Sequence, residues 1–166
     1  AGSFKRYFDG SDVGLTTNGE DIDALAILPN GDMVFSTAGL MKAGGRKALD
    51  EDLVRFKPNL SSTGTNTSGK FFMYLDGSDL GLNTTYNEDV WGVSIDHNSK
   101  DIYLTTRGPF TANGLSGVME DIFACVGPTP GWKTAYASQD MFWQGGSWGY
   151  AGERIDGFHI YMDPGP

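Results

Sequence analysis

The chain has 166 residues and sets 21 Asp and Glu against 12 Lys and Arg, a formal net charge of −9 at pH 7. That balance argues against nucleic-acid binding, which needs a cationic face for polyphosphate, and against docking on anionic membranes. Hydrophobic residues at 39% suffice for a core, yet no apolar run approaches the ~18 residues needed to span a bilayer.

Taken in chain order, "FKRYF" (4–8) reads as a strand that runs into the acidic octet "FDGSDVGL" (8–15). "DIDALAIL" (21–28) is an apolar run that ends at Pro29-Asn30-Gly31. In that turn Pro presets φ, and Asn-Gly tolerates positive φ. "MVFST" (33–37) is its hairpin partner, and "DLVRF" (52–56) follows a loop of Gly, Lys and Ala. The polar stretch 58–69 then leads into "KFFMYL", "DVWGVSI", "DIYLTT" and "DIFACV", the same plan again. Helical periodicity is absent over any long run, so the expected class is all-β, built of antiparallel four-stranded units.

Repetition is the dominant signal. The octet returns as "LDGSDLGL" (75–82) at an offset of 67, and "EDID" (20–23) returns as "EDVW" (88–91) at 68. "FSTAG" (35–39) returns as "LTTRG" (104–108) and "EDLV" (51–54) as "EDIF" (120–123), both at 69. A third, worn copy follows: "WQGGSWGY" (143–150) overlies the octet and "GERIDGF" (152–158) overlies "GEDIDAL" (19–25). The expected organisation is unit one over 1–69, unit two over 70–139 and an incomplete unit three over 140–166. Units of this size match the blades of a β-propeller, about two and a half of them.

The tandem blocks "FDGSDVGL", "LPNG" and "DEDL" resemble those of secreted or surface proteins of environmental bacteria with propeller-like units. The resemblance covers nearly the whole chain and implies an extracellular or cell-surface location, in keeping with an opening "AGSF" that looks like a mature N-terminus. Some units of that kind carry a second Cys soon after the last strand. Here Cys125 is the sole cysteine, so no internal disulfide forms.

Two chemical readings compete for the octet. Calcium wants clustered oxygen ligands, and Asp9, Asp12, Glu20 and Asp21 in copy one match Asp76, Asp79, Glu88 and Asp89 in copy two. Asp23, Asp52 and Asp121 could join them. The same Asp-Gly-Ser-Asp string also makes an Asx-type turn, its carboxylates capping backbone N–H groups. The worn copy loses the acids and keeps the glycines, which favours the turn. If calcium binds, EDTA lowers the melting temperature.

"GGSWG" (145–149) matches the G-x-S-x-G elbow, with Asp156 and His159 downstream, but that elbow needs a strand–turn–helix. Acids that recur with every unit also read as structural, so no catalytic set is expected and the chain is read as non-enzymatic. His97 falls in a polar turn and His159 in an aromatic strand. The expected role is a structural or adhesive protein that assembles with copies of itself, as an oligomer or extracellular filament, by completing the partial third unit. Trp132, Phe142, Trp143, Trp148, Tyr150, Phe158 and Tyr161 are the expected interface, because Trp and Tyr are enriched in such contacts. The alternative is a carbohydrate-binding module on Trp91, Trp132, Trp143 or Trp148, with extracellular polysaccharide as partner. Sequons at Asn59, Asn66 and Asn83 mark candidate glycosylation sites.

Overall fold

The computed structural model describes residues 2–59, 64, 66–83 and 86–161. The described chain is all-β, with four antiparallel sheets, no α-helix and no closed barrel. Two of the sheets are four-stranded. The first takes β1 (Ile22–Ile27), β2 (Met33–Thr37), β5 (Leu53–Pro58) and β6 (Gly69–Leu75), in that spatial order. The second takes β7 (Val90–Ile95), β8 (Ile102–Thr106), β11 (Asp121–Val126) and β12 (Ser138–Gln144) in the same order. Between the second and third strands of each stands a small hairpin, β3–β4 (Met41–Ala43, Arg46–Ala48) or β9–β10 (Phe110–Ala112, Leu115–Gly117). These hairpins replace the expected loop of Gly, Lys and Ala.

The sheets are phased one strand later than the sequence repeat. "KFFMYL", which opens the second sequence copy, forms β6 and closes the first sheet against β5. The corresponding first-copy segment, 4–8, was expected as a strand and forms none. No sheet precedes it among the described residues, so its backbone has no ladder to join. The stretch 58–69 accordingly lies between the third and fourth strands of the first sheet.

β2 and β8 are buried along their whole length, as a strand covered on both faces must be. One face of the first sheet packs on the second through Ala24, Val34, Leu53 and Leu75 against Val93, Ile95, Leu104 and Phe123. Its other face, around Phe35, Phe56 and Phe71, is covered by the β3–β4 hairpin and by Phe8, Val13 and Leu15. Phe35→Ala there removes a fully buried ring. It should cost about 3–5 kcal/mol, read as a lower urea midpoint at unchanged slope. The outer face of the second sheet, Tyr103, Ile122 and Ala124, is covered by Ile155, Phe158 and Ile160. Segment 155–161 thus stands on the second sheet as β7 stands on the first. Val90 N donates to Asp50 O at 3.0 Å, and the equivalent Ile155 N donates to Met119 O at 3.3 Å.

β-Bulges recur at matching positions. Asp23 and Trp91 are the extra residues where β1 and β7 pair with β2 and β8. Tyr74 and Phe142 are the extra residues on β6 and β12. A bulge re-aims its side chain, and all four of these point to the seams between successive units.

Candidate functional site at the seam between the sheets

The three octets are the same turn. Gly10–Val13, Gly77–Leu80 and Gly145–Trp148 are 3-10 turns, each ended by a left-handed glycine (Gly14, Gly81, Gly149). In the first two, Asp9 and Asp76 accept from the N–H (3.2 Å) and hydroxyl (2.6 Å) of Ser11 and Ser78. Asp12 and Asp79 reach across to the backbone N–H of Thr67 (2.8 Å) and Thr134 (2.6 Å). The hydroxyl oxygens of those threonines in turn accept from Asp9 N and Asp76 N. A Gly-x-x-Thr clasp, Gly64–Thr67 and Gly131–Thr134, therefore locks each octet. It repeats at the octet's own offset of 67, a match that sequence reasoning passed over.

Glu20 and Glu88 are capping residues. Glu20 accepts from the N–H of Thr16, Thr17 and Lys42, and Glu88 from Asn83 and Thr111. The N–H bonds from Thr16 and Lys42 hold the Glu20 carboxyl down at about 2. The Ser11 hydroxyl holds Asp9 below its usual range. Asp21 is exposed and Asp89 lies apart, in the seam. The eight residues read as calcium candidates are thus spread over turns, caps and seam, with most of them already accepting backbone N–H bonds. Among the described residues no three His, Cys, Asp or Glu side chains are placed to hold a metal ion. Asp12→Ala should cost about 1–3 kcal/mol by freeing the buried Thr67 N–H, measured as a fall in urea midpoint.

The seam itself gathers carboxylates that the sequence did not single out together. Asp52 accepts from Gly77 N at 2.9 Å, as Asp121 does from Gly145 N at 3.2 Å. Beside it, Glu51 is 2% exposed, and one of its oxygens has no hydrogen-bond partner among the described residues. Burial pushes Glu51 up to about 8 and Asp52 up to about 6. Asp23, on its bulge, meets Asp89 across the seam. Burial first and the Asp89 charge second push Asp23 up to about 8, so it holds the proton and donates it to Asp89. Arg107 approaches Asp89 at 3.6 Å and stacks over Tyr86 (3.6 Å) and Trp91 (4.5 Å). In the next seam the places of Asp23 and Asp89 are taken by Trp91 and Arg154, whose guanidinium lies 4.7 Å from the Trp91 ring. One seam is closed by a shared proton and the other by a cation–π contact.

The expected interface aromatics divide. Trp132, Phe142, Trp148, Tyr150 and Tyr161 are exposed, whereas Trp143 and Phe158 pack on the second sheet. Trp91 belongs to the seam stack and is no open platform. Ser147 sits in the third 3-10 turn, so the repeat accounts for "GGSWG". His97 and His159, the chain's two histidines, line one hollow of about 270 Å3 with Ile160 and Tyr161. Cys125 is buried, and burial pushes its thiol up to about 12. Asn59, Asn66 and Asn83 are exposed. The remainders of the Asn59 and Asn83 sequons, residues 60–61 and 84–85, lie outside the described residues.

The turns also explain one step in the drift of the repeat offset, from 68 to 69. The β7–β8 turn has one residue more than the β1–β2 turn, 96–101 against 28–32. Lys100 thereby stands where Gly31 stands in the first unit, and both have positive φ, 70° and 84°. A lysine held in the left-handed region costs roughly 1–2 kcal/mol that glycine does not.

Among the described residues no helix is long and apolar enough to cross a membrane. The chain matches no protein-family model, no curated protein and no solved structure.

Proposed function

We propose that the chain is a structural repeat scaffold, non-enzymatic and extracellular, that assembles with copies of itself end to end. The extracellular setting rests on the resemblance of its tandem blocks. The assembly rests on one observation: the contact between successive units is made twice within the chain and left open at its first unit. β7 packs on β1, and 155–161 packs on the second sheet, where Phe158 lies over Gly92 and Ile160 N donates to Ser94 Oγ at 3.0 Å, both on β7. Among the described residues β1 has no such neighbour on its other side, and there Leu25 and Ile27 are 47% and 46% exposed. Tyr161, at the opposite end, is 77% exposed. Laying 155–161 of one copy on β1 of the next repeats the internal contact, and because the operation is head-to-tail it grows into rings or filaments.

Segment 4–8 fits the same arrangement. Gly64 N donates to Tyr7 O at 3.0 Å, as Gly131 N donates to Tyr74 O at 3.1 Å. Residues 4–8 therefore lie as the fourth strand of a preceding unit, whose first strand 155–161 of the neighbouring copy would supply. Two strands of that shared unit remain open, so the junction is held by the seam contact and not by a complete sheet.

Sedimentation velocity tests the reading. The expected result is species larger than the monomer that grow with concentration up to about 100 μM, a range suited to modest interfaces. Ile27→Lys should return the chain to monomer without lowering its melting temperature. A monomer at every concentration overturns the proposal, as does assembly that ignores Ile27→Lys.

A further inference from the structure

Where the turn Leu28–Asn30 of the first sheet meets the turn His97–Lys100 of the second, the seam opens into a cavity of about 430 Å3. Its walls are largely apolar: Leu28 and Pro29 from one turn, Ile95 from the second sheet, and Pro128 and Pro130 from the β11–β12 loop. Tyr74, the bulged residue of β6, forms part of the same wall. The polar groups in the wall are Asn30, Arg55, His97 and Lys100. No acid lines it, in a chain with nine more acids than bases (21 against 12). Of the acids that flank these turns in sequence, Asp32 pairs with the wall's own Arg55 and the other two are turned to backbone N–H groups. Asp32 binds Arg55, Asp96 accepts from Asn98 N and Ser99 N, and Asp101 accepts from Gly127 N.

Lys100 carries the argument furthest. It occupies the place of Gly31 at a φ of 70°, a conformation a lysine adopts only under strain. A non-glycine residue held there is a pointer to function, because the fold would be more stable with the glycine its own repeat uses. One ammonium proton goes to His97 O, and an ammonium has two donors more. A strained ammonium, the guanidinium of Arg55 beside it (paired with Asp32 on one edge) and an apolar slot wide enough for one ring are the parts of a site for an organic anion.

We infer that the seam cavity binds a small carboxylate carried on a flat apolar ring. The carboxylate lies at Lys100, beside the Asp32-paired guanidinium of Arg55, and the ring between Tyr74 and the prolines. This inference is independent of assembly: the cavity is built within one chain, and a monomer binds as well as a polymer.

Isothermal titration of the full chain with 4-hydroxybenzoate, its neutral amide and acetate tests it. The acid should bind with a Kd below about 1 mM. The amide, which lacks the charge, and acetate, which lacks the ring, should each bind at least ~10-fold more weakly. Lys100→Gly should weaken the acid at least ~10-fold while raising the melting temperature by about 2–4 °C, because strain leaves with the lysine. Those opposite signs separate loss of a ligand contact from loss of fold. Lys100→Asn, also at ease at positive φ, must lose affinity as well. Any of four results overturns the inference: no binding of the acid, equal binding of acid and amide, acetate as tight as the ring acid, or unchanged affinity in either variant.

Discussion

Gly77→Ala is expected to lower stability by about 3 kcal/mol or more, whereas Gly10→Ala stays within about 1 kcal/mol of the parent. The two glycines hold the same place in the same turn. They differ in what lies beneath. A Cβ on Gly77 would meet the backbone oxygen of Glu51 at 2.2 Å, and backbone cannot swing aside. A Cβ on Gly10 meets the Leu15 side chain at 3.3 Å and no sheet backbone among the described residues. Gly145 repeats the close approach, at 2.4 Å from Glu120 O, so Gly145→Ala belongs with Gly77→Ala. Urea midpoints at constant slope measure all three. Equal costs at positions 10 and 77 would show that close approach is not what the glycine provides. The comparison also explains the worn third copy: it lost carboxylates, but its glycine still has to let the chain lie against Glu120.

Stability should fall as pH rises from 5 to 8.5, the reverse of what an acidic protein with paired carboxylates would show. Asp23 and Glu51 sit near 8 in the folded chain and near 4 when unfolded. The native state therefore keeps protons that the unfolded state releases. Their contribution is complete below about pH 4 and drains away as pH climbs through about 8. Asp52 and Asp89, near 6, act in the same direction over a narrower window. Glu20, Asp9 and Asp96 act oppositely, because their values are lowered; what they contribute is lost only as pH falls below the ordinary carboxylate range. The net change from pH 5 to 8.5 should be on the order of a few kcal/mol, or roughly 5–10 °C in melting temperature. Asp23→Asn with Glu51→Gln keeps a donor at each site and removes the titration. The double variant should lose most of the fall, keep the smaller part that Asp52 and Asp89 contribute near pH 6, and melt above the parent at pH 8.5. A parent whose melting point holds or rises from pH 5 to 8.5 would mean that these carboxylates are ionised in the fold.

Much of this architecture could be read from residues alone, and the gaps have physical causes. Alternating apolar runs and drifting offsets gave the class and the repeated plan, because period-two burial is local. Phase was illegible: "FKRYF", "KFFMYL" and "DMFWQ" look alike, and which sheet a strand joins depends on which backbone edge is free nearby. The β3–β4 hairpin was missed because "MKA" and "RKA" are too short to show alternation. The acid blocks were visible, but their sorting was not. Asp12 and Asp79 go to a clasp in a polar loop, while Asp23 and Asp89 meet only after two sheets stack. The cavity had one sequence signal, the lysine standing where the aligned turn keeps a glycine. Its meaning required the φ angle.

The offset between repeat and sheet also bears on how the chain folds. β6 is covalently continuous with the second copy's octet but belongs by its hydrogen bonds to the first sheet. The first sheet cannot be finished until residues 69–75 have been synthesised. The octet that follows is then clasped by Gly131 and Thr134, nearly sixty residues further on. Neither half can close on its own sequence. Each borrows its last edge from the next, and this couples the two sheets into a single cooperative transition where an array of independent modules would melt in steps.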